Sequence, residues 1–332
     1  MVKSSEEDSS NTTEIIVAIV QYSLCSSTML LANKVALTYL PLPSVVSCLQ
    51  IVFATFAVLG LKYGNVVTVD DIEWRKVKPY AIYILAFVSA IFANMQALNA
   101  SNVETVIVFR SCTPLATSII EYYLMNRALP SMRSLVAMLT IAVGAFMYCS
   151  NDSQMLLEGY GAYSWVSLYF VLITFEMTYG KQLTRDVKMD SPTWGPVLYQ
   201  NMLAIVPMMA LGASKGEMDQ ALPALMEVPF SGMLVLLFSC ITGTMIGYTG
   251  WKCRGLVSAT TFTLVGVVNK FLTILLNVII WEKHSTPFGL MAVCCCLLAG
   301  SFYQQAPLRP VVDAEREKDD EIALMHKASS TV

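Results

Sequence analysis

Ten apolar runs recur along the chain, at about 14–37, 43–63, 79–98, 103–125, 132–150, 161–183, 194–213, 229–251, 257–280 and 286–304. Each is close to the length a helix needs to cross a hydrocarbon core roughly 30 Å thick. Polar connections carrying helix-breaking residues separate them, among them Pro41, Pro43, Pro130, Pro192, Pro223, Pro229 and Pro287. The pattern predicts an all-α polytopic membrane protein of ten transmembrane helices, with the lipid bilayer as its first partner. Composition agrees: of 332 residues 55% are hydrophobic and only 14% charged, a balance unlike that of a soluble globule.

The ends of the two halves resemble each other. With an offset of 156, Arg127 meets Lys283, Gly144 meets Gly300 and Phe146 meets Phe302. Five helices is an odd number, so two such copies must insert with opposite polarity, the inverted-repeat plan of secondary transporters. The expected organisation is a tail over 1–13, a five-helix repeat over 14–150, a second over 151–305, and a disordered acidic tail over 306–332. Basic residues set the orientation. Of 21 Lys and Arg, only Lys215 and Lys283 fall on the side away from the N-terminus, and Lys34, Arg110 and Lys270 fall inside spans. The other sixteen share the N-terminal side, which places both termini in the cytosol. The acidic, Ser-rich opening predicts no cleaved signal peptide.

Several kinds of chemistry are not supported. The two histidines, His284 and His326, have no neighbours at ligand spacing, so no metal or cofactor is expected. The nine cysteines are scattered through the runs and read as small packing groups. There is no HExxH or Asp-x-Asp motif to support a membrane-embedded transferase, and nothing calls for nucleic acid. The chain is expected not to be an enzyme.

The candidate chemistry lies in the charged groups inside the runs: Lys34, Glu104, Arg110, Glu121, Glu176 and Lys270. A cation near the bilayer midplane costs ~2.5–3.5 kcal/mol and so needs a partner or a ligand. Lys270 closes the polar stretch Gly266-Val267-Val268-Asn269-Lys270, and Gly266, one turn earlier on the same face, would let a ligand approach beside the ammonium. The alternative is a packing ion pair of Lys270 with Glu176 or Glu121. Arg110 stands four residues before Pro114, and its alternatives are a ligand role or a pair with Glu104 or Glu176. Lys34 reads as a ligand or as a snorkelling side chain. Glu176 would compensate a cation while the site is empty. The seventh run opens with Tyr199, Gln200 and Asn201, an aromatic face and two amides suited to a purine edge, although about 100° separates successive side chains.

These residues resemble the nucleotide-sugar transporters of the drug/metabolite transporter superfamily. The likeness is carried by GVVNK with Thr273, Asn277 and Trp281 beyond it, by Asn102-Val103-Glu104-Thr105, by Val108-Phe109-Arg110-Ser111 with Thr113-Pro114, by Leu24-Cys25-Ser26-Ser27 with Asn33-Lys34, and by Tyr303-Gln304-Gln305-Ala306-Pro307. It covers about 20–307 and is strongest to the GDP-sugar branch, plant-type GDP-fucose and GDP-mannose transporters. The resemblance implies a Golgi antiporter that exchanges a GDP-sugar for GMP, and it allows a homodimer. It implies that Gly266, Val267, Asn269 and Lys270 meet sugar and phosphate, and that Tyr199, Gln200 and Asn201 hold guanine. The family's aromatic-Tyr-Asn-Asn motif here reads Leu198-Tyr199-Gln200-Asn201, losing one aromatic and lengthening one amide by a methylene.

Overall fold

The computed structural model describes residues 2–100, 103–150, 160–281 and 287–309. Among these are eleven α-helices: α1 (Val2–Tyr39), α2 (Pro43–Tyr63), α3 (Trp74–Ala100), α4 (Val103–Leu124), α5 (Met132–Ser150), α6 (Tyr160–Asp186), α7 (Trp194–Ser214), α8 (Glu217–Glu227), α9 (Phe230–Leu256), α10 (Ala259–Trp281) and α11 (Pro287–Ser301). All but α8 match the apolar runs, with one extension: α1 begins at Val2, within the stretch expected as a tail, rather than near 14. The additional helix α8 is short and has no buried residue, so hydropathy alone reads it as a connection. Among the described residues five helical stretches are long and apolar enough to cross a membrane: Thr12–Tyr39, Pro43–Tyr63, Trp74–Asn94, Trp194–Ser214 and Phe230–Leu256.

Local chemistry sets the ends. Helix α10 starts at Ala259 because Ser258 caps it, its hydroxyl accepting the Thr261 N–H at 3.0 Å. Gln305 accepts the Ser258 N–H at 2.9 Å. The buried Glu121 carboxylate adds the Ala259 and Thr260 N–H groups at 2.9 and 3.0 Å, and Arg127 lies 3.4 Å away. An anion at a helix N-terminus satisfies orphan donors and the helix dipole together. Glu121 is thereby committed to holding α4 on α10, and the packing pair considered for Lys270 does not form with it.

The helices pack α1 on α9, α3 on α6, α2 on α7 and α5 on α11, with α4 touching both α5 and α10. Small residues let some of these approach closely: a Cβ added to Gly144 would meet Cys296 Sγ at 2.5 Å, and one on Gly300 would meet a Val268 methyl at 2.7 Å. Large apolar side chains such as Phe56, Leu85, Val143, Val171 and Val206 point outward and are exposed. Such a surface suits hydrocarbon rather than water.

One end of the bundle is tied by its loops. Asp70, between α2 and α3 and only 2% exposed, accepts Lys76 Nζ at 2.6 Å and the backbone N–H groups of Asp190 and Ser191 at 3.0 and 3.3 Å. The last two belong to the α6–α7 connection. Burial works against the Asp70 carboxylate, but Lys76 and the two N–H groups outweigh it and hold its pKa below the usual value. Gly195 leaves room for this contact, since a Cβ there would lie 2.9 Å from Asp70 Oδ2.

Candidate functional site

A cavity of about 440 Å³ opens among α1, α2, α3, α4, α6, α7, α9 and α10. Its polar lining includes Arg110, Glu176, Arg254, Gln200, Asn201 and Asn94, and aromatic rings of Tyr22, Tyr83, Trp251 and Phe262 complete the walls. A narrow annex beside Arg110 is lined by Thr113, Thr263 and Gly266. The Thr113 hydroxyl in this annex is fully buried and makes no hydrogen bond, so it remains available to a ligand oxygen.

Arg110 and Gly266 meet here: a Cβ added to Gly266 would lie 4.0 Å from Arg110 Nη2. Arg110 donates to the Tyr169 hydroxyl rather than to the Glu176 considered from sequence. Its other candidate partner, Glu104, has a side chain outside the described residues. Pro114 also withholds the N–H that would bond the Arg110 carbonyl, adding an acceptor near the guanidinium. Lys270 lies eleven rises into α10, about 16 Å from its start. It is half-buried and feels the positive charge of Arg110, which places the two cations in one neighbourhood. Neither Lys270 nor the buried Asn269 lies on the cavity wall itself.

Other residues expected in the site point elsewhere. Val267 is buried in an apolar cluster with Met138, Ile141, Phe271 and Cys296, because it sits about 100° from Gly266 on the helix. Lys34 is exposed on α1 and does not line the cavity. Tyr199 is fully buried in the tied end of the bundle, where its hydroxyl donates to the Asp71 carbonyl at 2.6 Å and accepts the Glu73 N–H at 2.9 Å. Gln200 and Asn201 line the cavity, so the angular spread of the motif separates one anchoring residue from two that face the interior.

Sequence reasoning missed Arg254, counting it only among the sixteen basic residues of the N-terminal side. The guanidinium is 5% exposed in the last turn of α9 and forms a buried ion pair with Glu176 at 3.1 Å. Tyr83 donates to Glu176 Oε1 at 2.6 Å and accepts from Arg254 Nη1 at 3.0 Å. Arg254 also stacks over Phe262 and Trp251, 4.7 and 5.0 Å from the ring centroids. A signal for this face existed: Gly243, Gly247, Gly250 and Arg254 recur at helical spacing, and all four line the cavity. Two cations, one displaceable carboxylate, amides that include Gln200 and Asn201, and a set of aromatic rings can bind a phosphorylated ligand bearing a flat base.

Comparison with known proteins gives the same chemistry a family. No protein-family model matches the chain. GDP-fucose transporter 1 of Arabidopsis thaliana is 36% identical over 331 residues, covering 96% of this chain and 95% of that protein. The GDP-mannose transporter GONST3 of the same plant is 29% identical, covering 90% and 80%, and UDP-galactose/UDP-glucose transporter 7 is 24% identical over 76% and 77%. A solved crystal structure shares the fold with a TM-score of 0.64 at 14% identity, covering 89% of this chain and 96% of that one. The extent and identity of the first match decide the assignment: the chain belongs to the nucleotide-sugar transporters, in their GDP-sugar branch.

Proposed function

We propose that the protein carries a GDP-sugar from the cytosol into the Golgi lumen in exchange for GMP, with GDP-fucose favoured and GDP-mannose next. The observation that carries this reading is the cavity itself, which joins Arg110 and Arg254 to the amides of Gln200 and Asn201 across one 440 Å³ space. The relative named for GDP-fucose, at 36% identity along nearly the whole chain, supports the choice of sugar. Arg110 and Arg254 meet the phosphates from the cavity wall, Gly266 borders them in the annex, and Lys270 and Asn269 contribute from behind that wall. Glu176 neutralises Arg254 while the site is empty and yields it to an incoming phosphate oxygen. Strict exchange follows, because the empty carrier leaves the charges of Arg110 and Lys270 unpaired among the described residues and so crosses slowly.

Ten transmembrane helices in two inverted five-helix repeats, with both termini cytosolic, give this reading its moving parts. The packing supports it. When α1 to α5 are exchanged in order with α6, α7, α9, α10 and α11, the α1–α9 contact becomes α3–α6, α4–α5 becomes α10–α11, and α2–α7, α4–α10 and α5–α11 map onto themselves. Two halves related in this way can rock about a central site. On this orientation the Asp70 and Tyr199 contacts close the cytosolic end. Counterflow tests the proposal: proteoliposomes preloaded with GMP take up GDP-fucose faster than empty ones. Equal rates would mean a uniporter or channel, and a preference for UDP-sugars would change the substrate.

A further inference from the structure

Two of the cavity amides, Gln200 and Asn201, are not free to choose which end they show to a ligand. Trp251 Nε1 donates to Gln200 Oε1 at 2.7 Å, and an indole can only donate, so the Gln200 carbonyl must face Trp251. Asn201 Nδ2 donates to the Val197 carbonyl at 2.8 Å, and a carbonyl can only accept, so the amide nitrogen of Asn201 must face its own helix. Gln200 therefore presents N–H donors to the cavity and Asn201 presents its carbonyl oxygen. Trp251 is itself fixed. It is 3% exposed, with Arg254 over one ring face and the rings of Tyr80 and Tyr83 at 5.9 and 5.5 Å.

We infer that Trp251 is a positioning residue that sets the polarity of Gln200, so that the cavity selects bases carrying a ring carbonyl next to an N–H. Guanine, hypoxanthine and uracil present that edge, an acceptor beside a donor, and meet the Gln200 donor and the Asn201 acceptor in register. Adenine and cytosine present an amino group beside an unprotonated ring nitrogen, which sets donor against donor and acceptor against acceptor. Unpaired buried polar groups are what make such a mismatch costly. The inference rests on the proposed function, in that a nucleotide base sits against Gln200 and Asn201. It adds the residue that orients the reading amide and the class of base this orientation admits.

The test is displacement of labelled GMP from the full-length protein in proteoliposomes by GMP, IMP, UMP, AMP, CMP and inorganic phosphate. GMP, IMP and UMP are expected to compete, while AMP and CMP need concentrations at least about tenfold higher. Trp251→Phe keeps a ring against Arg254 but deletes the N–H. It is expected to lower the GMP-over-AMP preference about tenfold, a ratio in which any common change in phosphate binding through Arg254 cancels. Gln200→Glu, which keeps an acceptor for the indole and removes the donor, is expected to weaken GMP about tenfold or more and covers the case in which Trp251→Phe does not fold. An unchanged preference in folded Trp251→Phe, wild-type GMP affinity in Gln200→Glu, or equal competition by AMP and GMP in the parent protein overturns the inference while leaving nucleotide transport standing. A parent protein that binds no nucleotide overturns both.

Discussion

Replacing Asp70 by Asn should open the tied end of the bundle. The carboxylate takes three donors: Lys76 and the Asp190 N–H on Oδ1, and the Ser191 N–H on Oδ2. An asparagine is nearly the same shape but turns one oxygen into an NH₂ group, so either flip leaves a buried donor facing another donor. An unsatisfied buried N–H costs about 1–3 kcal/mol, and loss of the charge on the bond to Lys76 adds to it. Lys76 is 15% exposed at its side chain and can turn to water, which argues against the full ~3–5 kcal/mol of a broken buried pair. A net of about 2–3 kcal/mol remains, or roughly 30- to 150-fold in the equilibrium between tied and untied loops. Hydrogen exchange measured by mass spectrometry reads this directly, because the Asp190 and Ser191 amides exchange only when the contact opens. Their exchange should quicken by about that factor, with the α5–α11 contact unaffected. Acceleration below about threefold would refute the argument. The pH dependence has a definite sign. A carboxylate with a depressed pKa in the folded state contributes its full stability above the ordinary value of about 4, and the contribution is lost as pH falls below that through the depressed value. Parent protein should therefore keep its slow exchange down to about pH 4 and lose it below, while Asp70→Asn should show no such step.

Three further outcomes follow from the geometry. Glu176→Gln should tighten GMP binding measured by calorimetry, because it frees Arg254 from its 3.1 Å partner; unchanged affinity would mean that Glu176 does not compete with phosphate. Glu121→Ala should lower thermal stability by about 3 kcal/mol or more, since it leaves two buried α10 N–H groups and Arg127 without their acceptor; a shift within error would show that solvent replaces the cap. Gly266→Val should leave the melting temperature nearly unchanged but weaken GMP at least about tenfold, as the branched side chain fills the annex 4.0 Å from Arg110; retained affinity would place the phosphate elsewhere.

Much of this was legible in the order of residues. Run length and helix-breaking prolines located ten helices to within about five residues at every end but the first, where α1 begins at Val2 rather than near 14, because one rise per residue and the cost of an unpaired backbone in lipid leave little choice. The shortage of charge made each intramembrane cation conspicuous, so Arg110 and Lys270 could be singled out without coordinates. What the sequence could not decide was direction and partnership. Tyr199, Gln200 and Asn201 are adjacent in the chain, yet one anchors a loop and two face the cavity, a difference of helix phase that depends on how α7 sits against α3 and α9. Arg254 looked like one of many basic residues at a helix end until the fold buried it beside Glu176, 78 positions away. Asp70 similarly gained its function from the backbone of Asp190 and Ser191, more than a hundred residues along the chain. Periodicity is a local property, whereas a buried charge is defined by whatever the rest of the chain brings within about 3 Å of it.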